Sequence, residues 1–300
     1  FTWLVHRTTM QPQDLIQGLR SSSVARWQRA SELADMLCND RFADFRKDGK
    51  AAQELADIFD REIDSATSAG GMDEENVTLR YFLARALGEF RVDEGLDVLL
   101  KAATTNRDPR EAIVRRGAVQ AIAVRASNLA EEDQARTLSD PDLEKTLAQL
   151  AKDENNLVRS ETAFALGQIG TPASELILAE MVDDPHADTR YNAAIALAQR
   201  GNAAGLDVLA EMLDPDELAS VSEEPNEQAQ FFKRSLIISN AIEAVDKLTA
   251  TNPDLDLAPV IDSLQRITTA NAEELHKARI SRGIVPRVGE ALGKLQSLSD

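Results

Sequence analysis

Val158-Arg159-Ser160-Glu161-Thr162-Ala163-Phe164-Ala165-Leu166-Gly167 is one of five related stretches in this chain. The next copy is Thr189-Arg190-Tyr191-Asn192-Ala193-Ala194-Ile195-Ala196-Leu197-Ala198. Earlier copies start at Leu79-Arg80-Tyr81, at Val114-Arg115-Arg116 and, in weaker form, at Ala25-Arg26-Trp27. The shared pattern is apolar-Arg-x-x-x-Ala-x-Ala-Leu-Gly/Ala. The first copy departs from it at Glu32, where the second Ala would fall. The five arginines are separated by 54, 35, 44 and 31 residues. The shortest gap is one unit, and the longer gaps hold insertions. Self-similarity at such a period is the mark of a repeat architecture.

Counting the apolar residue as position 1, positions 1, 5, 8, 9 and 12 share one face of a helix at about 100° per residue. In one copy these are Val158, Thr162, Ala165, Leu166 and Ile169; in another, Leu79, Leu83, Ala86, Leu87 and Phe90. Position 10 is always Gly or Ala (Ala34, Gly88, Ala123, Gly167, Ala198), which lets a neighbouring helix approach closely. A shorter helix precedes each stripe. Pro172 suits a first turn, Asp183-Asp184-Pro185 breaks the helix, and the second helix runs to about Arg200 with Gly201 as its cap. The unit before repeats this, with a helix over Pro141 to Ala151, the loop Asp153-Glu154-Asn155-Asn156, and a helix to Ile169 and Gly170. A unit this small cannot bury its stripe alone, so the units must stack. The expected fold is all-α, a right-handed α-solenoid of about six to seven helical hairpins.

The Val-Arg-x-x-x-Ala-x-Ala-Leu-Gly core behind an acidic loop resembles the HEAT repeat, in the short bacterial form also found in phycobilin lyase subunits. The resemblance is strong over 73–213 and degenerate over 12–40. Near the end, Val288-Gly289-Glu290-Ala291-Leu292-Gly293 keeps only the second half of the motif. Terminal units of a solenoid depart from consensus because one face meets water.

On this reading residues 12–300 form one repeat array, and residues 1–11 form a tail. The start, Phe1-Thr2-Trp3-Leu4-Val5-His6-Arg7, has two readings. It is a frayed tail, or it is the cytoplasmic end of a membrane helix lying upstream, with Trp at the headgroups and Arg just inside. Lys50 to Thr67 reads as a long first helix before a Ser68-Ala69-Gly70-Gly71 hinge. Ala126 to Pro141 reads as an acidic connector. An acidic insertion at 214–226 interrupts the unit that begins at Asn202. From Gly201 to Phe232 there are eight acids and no base. This stretch is either a solvated, mobile loop or a partner-binding element. Lys277, Arg279, Arg282, Arg287 and Lys294 make the last segment locally basic, and Pro286 is expected to kink or split the final helix.

Composition excludes several chemistries. The 33 basic and 51 acidic residues give −18, which opposes phosphate binding and hence a DNA glycosylase or other nucleic-acid role. The single Cys38 excludes an internal disulfide and a multi-thiolate metal site. Fourteen Gly and ten Pro are too few for an all-β chain. His6, His186 and His276 are far apart and none forms a His-Glu pair. HEAT-like enzymes such as deoxyhypusine hydroxylase hold iron with such pairs, so that reading falls. No GxGxxG, GxxxxGK[ST], HExxH or GxSxG is present. No catalytic, cofactor or metal residues are assigned.

Two sets of residues stand out. Arg26, Arg80, Arg115, Arg159 and Arg190 repeat at position 2. Acids lie six or seven residues upstream of four of them, at Glu74, Asp108, Asp153 and Asp184. Arg can fork to such carboxylates or to loop carbonyls and lock the units in register, and the HEAT resemblance implies the same ladder. Position 3 holds Trp27, Tyr81, Arg116, Ser160 and Tyr191, so three of the four Trp and Tyr residues share one repeat position. It lies about 150° from the stripe and should face outward or toward an adjacent helix. Trp27, Tyr81, Arg116 and Tyr191 are therefore the candidate protein-binding residues, with packing against the next helix as the alternative.

The expected function is a non-enzymatic scaffold whose concave second-helix face binds a protein or peptide of basic character. An accessory or lyase-like subunit of an enzyme system, as in phycobilin lyases, is the alternative that the resemblance implies. The expected location is the cytoplasm, with a membrane tether only if a helix lies upstream of Phe1.

Overall fold

Thr171 accepts a hydrogen bond from the Ser174 amide, and Pro172 fills the first turn behind it. Gly170 and Gly201 take positive φ of 63° and 76°, the left-handed backbone that ends the helices before them. The repeat boundaries therefore fall where turn chemistry dictates. The computed structural model describes residues 10–21, 26–65, 73–132, 138, 140, 142–252 and 254–299. The expectations for Phe1 to Arg7, the Ser68 to Gly71 hinge, Asp133 and Pro141 lie outside the described residues. Among the described residues every regular element is helical. The chain forms two units, Phe1–Ile169 and Gly170–Asp300.

The first unit holds four hairpins. They are α1 (Pro12–Leu19) with α2 (Arg26–Leu37), α3 (Gly49–Ser65) with α4 (Glu74–Gly88), α5 (Leu96–Thr104) with α6 (Glu111–Glu132), and α7 (Leu143–Leu150) with α8 (Asn156–Ile169). The second helices pack in a row, α2 on α4, α4 on α6 and α6 on α8, and the first helices form a looser row beside them. Position 9 supplies the core of the tight row. Leu33, Leu87, Ile122 and Leu166 are fully buried, and each such burial contributes about 1.5–3 kcal/mol. Position 10 sets the spacing. A Cβ added to Gly88 of α4 would lie 2.7 Å from Cα of Ala121 on α6. The expected connector after Ala126 begins as helix, because α6 runs on to Glu132. Its stripe continues through Ile122, Arg125, Ala126 and Leu129, all buried at helical spacing.

The second unit holds three hairpins. They are α9 (Pro172–Met181) with α10 (Ala187–Gln199), α11 (Leu206–Leu213) with α13 (Glu227–Thr251), and α14 (Ala258–Thr269) with α16 (Val285–Ser299). Short helices α12 (Ala219–Ser222) and α15 (Ala272–Lys277) sit in the connections of the last two. One core runs through this unit from Ala187 to Leu295. Pro286 neither kinks nor splits a helix. It lies in the first turn of α16, where a missing N–H costs nothing.

Candidate interaction surface

The position-2 arginines build the frame. Arg26 reaches Glu62 at 2.7 Å and the Leu19 carbonyl at 2.9 Å. Arg80 meets Glu111 at 3.0 Å, and both side chains are 1% exposed. Arg107 joins the same carboxylate at 2.7 Å. Arg115 forks onto Asp153 at 2.8 and 2.9 Å. Arg159 donates to the Asp153 carbonyl at 2.9 Å. Asp153 thus joins two successive arginines of the first unit, one through its carboxylate and one through its backbone. In the second unit Arg190 grips Glu211 and the Asp184 carbonyl, the latter at 2.8 Å.

Every carboxylate in these pairs lies one hairpin further along the chain. Of the two expected kinds of partner, the upstream loops supply carbonyls, at Asp153 and Asp184, and the carboxylates named here come from further along. Asp108 instead pairs with Arg110, whose hydrogen bonds hold its carboxyl down to about 2. Asp184 accepts from the His186 amide, and Glu74 lies in the first turn of α4. The upstream loop contributes carbonyls, as at Arg159 and Arg190. Burial opposes the charge on Glu111, but Arg107 and Arg80 outweigh it and hold that carboxyl below the usual glutamate range.

Among the described residues three buried arginines lie outside the predicted ladder, Arg46, Arg125 and Arg234. Arg234 of α13 is fully buried and donates to the Asp214 carbonyl, so it is a sixth rung displaced by the 214–226 insertion. Its neighbourhood hides the motif, because Ile238 stands where Ala is expected. Arg125 of α6 donates to the carbonyls of Leu87 at 2.8 Å and Glu94 at 3.1 Å, closing the end of α4.

The position-3 residues do not share one environment. Trp27 and Tyr81 are half-buried on α2 and α4, and the Arg116 side chain is 45% exposed on α6. The Tyr81 ring lies on Gly117 of α6, where an added Cβ would come within 2.6 Å of Cδ2. Phe82 meets the Tyr81 ring edge-on at 5.2 Å. Arg116 reaches across to Glu161 of α8 at 3.2 Å. Tyr191 of the second unit does not face outward. It is 4% exposed in the core, where burial and then Glu211 raise its hydroxyl above the usual tyrosine range. At this copy the ring packs, because α13 and α11 both close on α10.

The exposed apolar residues complete the surface. Ile113, Leu157 and Phe232 are 53%, 45% and 66% exposed, and each lies two residues before a rung arginine. Phe164 is 43% exposed on α8. Ile113 precedes Arg116 by three residues, and Leu157 and Phe164 flank Glu161 by four and three. Helical spacing therefore puts all three on the face that carries the Arg116–Glu161 pair. The sequence reading tracked the buried stripe and passed over these positions.

The acidic insertion is pinned to its own unit. Arg266 holds Asp214 at 2.8 Å and also Asp216. Lys233 holds Glu224 at 3.2 Å and Asp188 at 3.0 Å. His186 lies 3.5 Å from Glu223, and Arg279 lies 3.1 Å from Glu227. Among the described residues no three His, Cys, Asp or Glu converge as ligands, and no helix is long and apolar enough to cross a membrane.

Residues 143–224, which include the Arg159 and Arg190 copies, match the family model of HEAT repeats. That segment carries HEAT repeats. Among solved structures the chain is similar to the X-ray structure of YibA from Escherichia coli. Identity is 18%, the TM-score is 0.47, and the match covers 96% of this chain and 93% of that one. It is also similar to a crystal structure of an engineered protein, at 19% identity and a TM-score of 0.41, over 96% of this chain and 98% of that one. No curated protein matches it in sequence.

Proposed function

We propose that the chain is a non-catalytic interaction scaffold that binds a protein or peptide on the second-helix face of its first unit. One observation carries this reading. Ile113, Leu157 and Phe164 are large, exposed and apolar, and they surround a paired Arg116 and Glu161 on two helices that pack directly. An apolar patch with Arg and an aromatic ring beside it has the composition of a binding hot spot. The helices beneath are held by buried ion pairs, so the face is preorganised and binding costs little ordering. The acid excess of the chain favours a partner of basic character. Tyr81 belongs to this face, Tyr191 does not, and Trp27 sits at its far edge.

A photocrosslinker placed at Ile113 or Phe164 in the native host tests the proposal, with exposed Gln53 on the first-helix row as control. Both face positions are expected to trap one common protein, lost on Arg116→Glu, while Gln53 traps none of it. Equal adducts from Gln53, or none from the face, would overturn the reading.

A further inference from the structure

Glu32 breaks the repeat at position 8, and the structure shows what that break leaves. In α4, α6, α8 and α10 position 8 is Ala86, Ala121, Ala165 and Ala196, all buried. Ala121 is the residue that meets Gly88, so position 8 faces the second helix of the preceding hairpin. Among the described residues α2 packs chiefly against α1, α4 and the turn Asp40–Phe42, and Arg26 also reaches Glu62 of α3. Glu32 is exposed on the flank that elsewhere receives a helix.

That flank is a groove of about 460 Å³ lined by Trp27, Ser31, Glu32, Asp35, Met36 and Phe42, among others. Its apolar lining is the half-buried Trp27, Met36 and Phe42, and its carboxylates, Glu32 and Asp35, are exposed. Asp35 is 69% exposed and only loosely paired, 3.7 Å from Arg85. Arg41 already lies over the Phe42 ring at 5.5 Å, and among the described residues no cation lies over the half-buried Trp27 indole. A guanidinium over an indole, paired to a carboxylate, is a favourable arrangement, and the groove's volume accommodates a leucine-sized side chain beside it.

We infer that this groove is a second binding site, which takes an amphipathic segment of a partner protein bearing Arg or Lys beside an apolar side chain. The inference deepens the scaffold reading and rests on it, but it is centred on α2, at the far edge of that face. Charge complementarity commits it to a basic occupant. Trp27 anchors the cation, and Glu32 and Asp35 pair with it.

The test uses the full chain labelled for NMR, with the Trp27 indole N–H as reporter. The probe is a short amphipathic peptide of Leu, Ala and Arg, against the same peptide with Gln for Arg. The Arg peptide is expected to shift the Trp27 signal, and the Gln peptide to leave it in place. Glu32→Gln with Asp35→Asn changes no volume and is expected to weaken binding about tenfold, since two exposed pairs and part of a cation–π contact are lost. Trp27→Leu should abolish it. Equal binding of the Gln peptide overturns the inference. So does a Trp27 signal that moves with protein concentration alone, which would make a second copy the occupant. Shifts confined to residues around Ile113 and Phe164 would also overturn it while leaving the scaffold reading intact; crosslinks absent from that face would remove the latter alone.

Discussion

Gly88 and Gly293 hold the same place in the repeat motif, yet one is packed and the other is bare. Gly88 lies inside the first unit, where Cα of Ala121 stands 2.7 Å from any added Cβ. Gly293 lies in the last hairpin of the second unit, and beyond its chain neighbours and its own helix backbone no described atom lies within 4 Å of its Cβ position. The same contrast runs through position 8, which is buried Ala121 inside the stack and exposed Glu32 in the first hairpin. Interior hairpins are held on two sides and their motif residues act as spacers. The first and last hairpins keep parts of the motif at places where no described helix presses on them. Substitutions should therefore cost most where a hairpin is held on both sides.

The largest effect is expected at Glu111, which joins Arg80 of one hairpin to Arg107 of the next. Glu111→Gln removes the buried carboxylate that Arg80 and Arg107 share, and should destabilise by about 3–5 kcal/mol in denaturant titrations. The pH dependence has a definite sign. The folded-state pKa of Glu111 is depressed, so the unfolded chain binds its proton more readily. The stability it contributes is present above the ordinary glutamate range and is lost as pH falls through the folded value. The gap between wild type and Glu111→Gln should therefore narrow on acidification. A gap that widened would show that the carboxyl is not held by the two arginines.

How much of this was visible beforehand depends on the distance over which each residue acts. Position 9 and position 10 work within and between adjacent helices at fixed helical phase, so the stripe and the spacing could be read directly. The rung arginines were visible for the same reason, but their carboxylates were not. Those lie 36, 31, 38 and 21 residues downstream of Arg26, Arg80, Arg115 and Arg190, and insertions set each distance separately. Nearby acids such as Asp108 offered themselves instead and proved to serve their own loops. Tyr81 and Tyr191 occupy one position and part company for a tertiary reason. Gly117 offers Tyr81 a shelf at the surface, whereas α11 and α13 enclose Tyr191. The exposed Ile113, Leu157 and Phe164 carry no periodic signal of their own, since they fall on the face that a search for the core discards.

Gly88→Ala should be next in size. The atom in the way is backbone of α6, so the helices must separate by a few tenths of an ångström or more. An overpacked interface of this kind costs about 1–3 kcal/mol, against the small gain that Ala brings to a helix interior. Thermal melts should show the loss, and a second substitution that shrinks the facing residue, Ala121→Gly, should recover part of it. No recovery would mean that the cost arises within α4 and not at its contact with α6.

Gly293→Ala is expected to go the other way and to be the smallest of the three. The residue sits inside α16 with open space around it, so the added methyl meets nothing. What remains is the intrinsic preference of a helix for Ala over Gly, about 0.5–1 kcal/mol, drawn from the unfolded chain's loss of freedom and not from any new contact. A stabilisation of that size would establish that position 10 needs its glycine only where another hairpin presses against it. If Gly293→Ala instead destabilised as Gly88→Ala does, something must pack on the end hairpin in solution, and the distinction between interior and end would fail at the residue where it is easiest to measure.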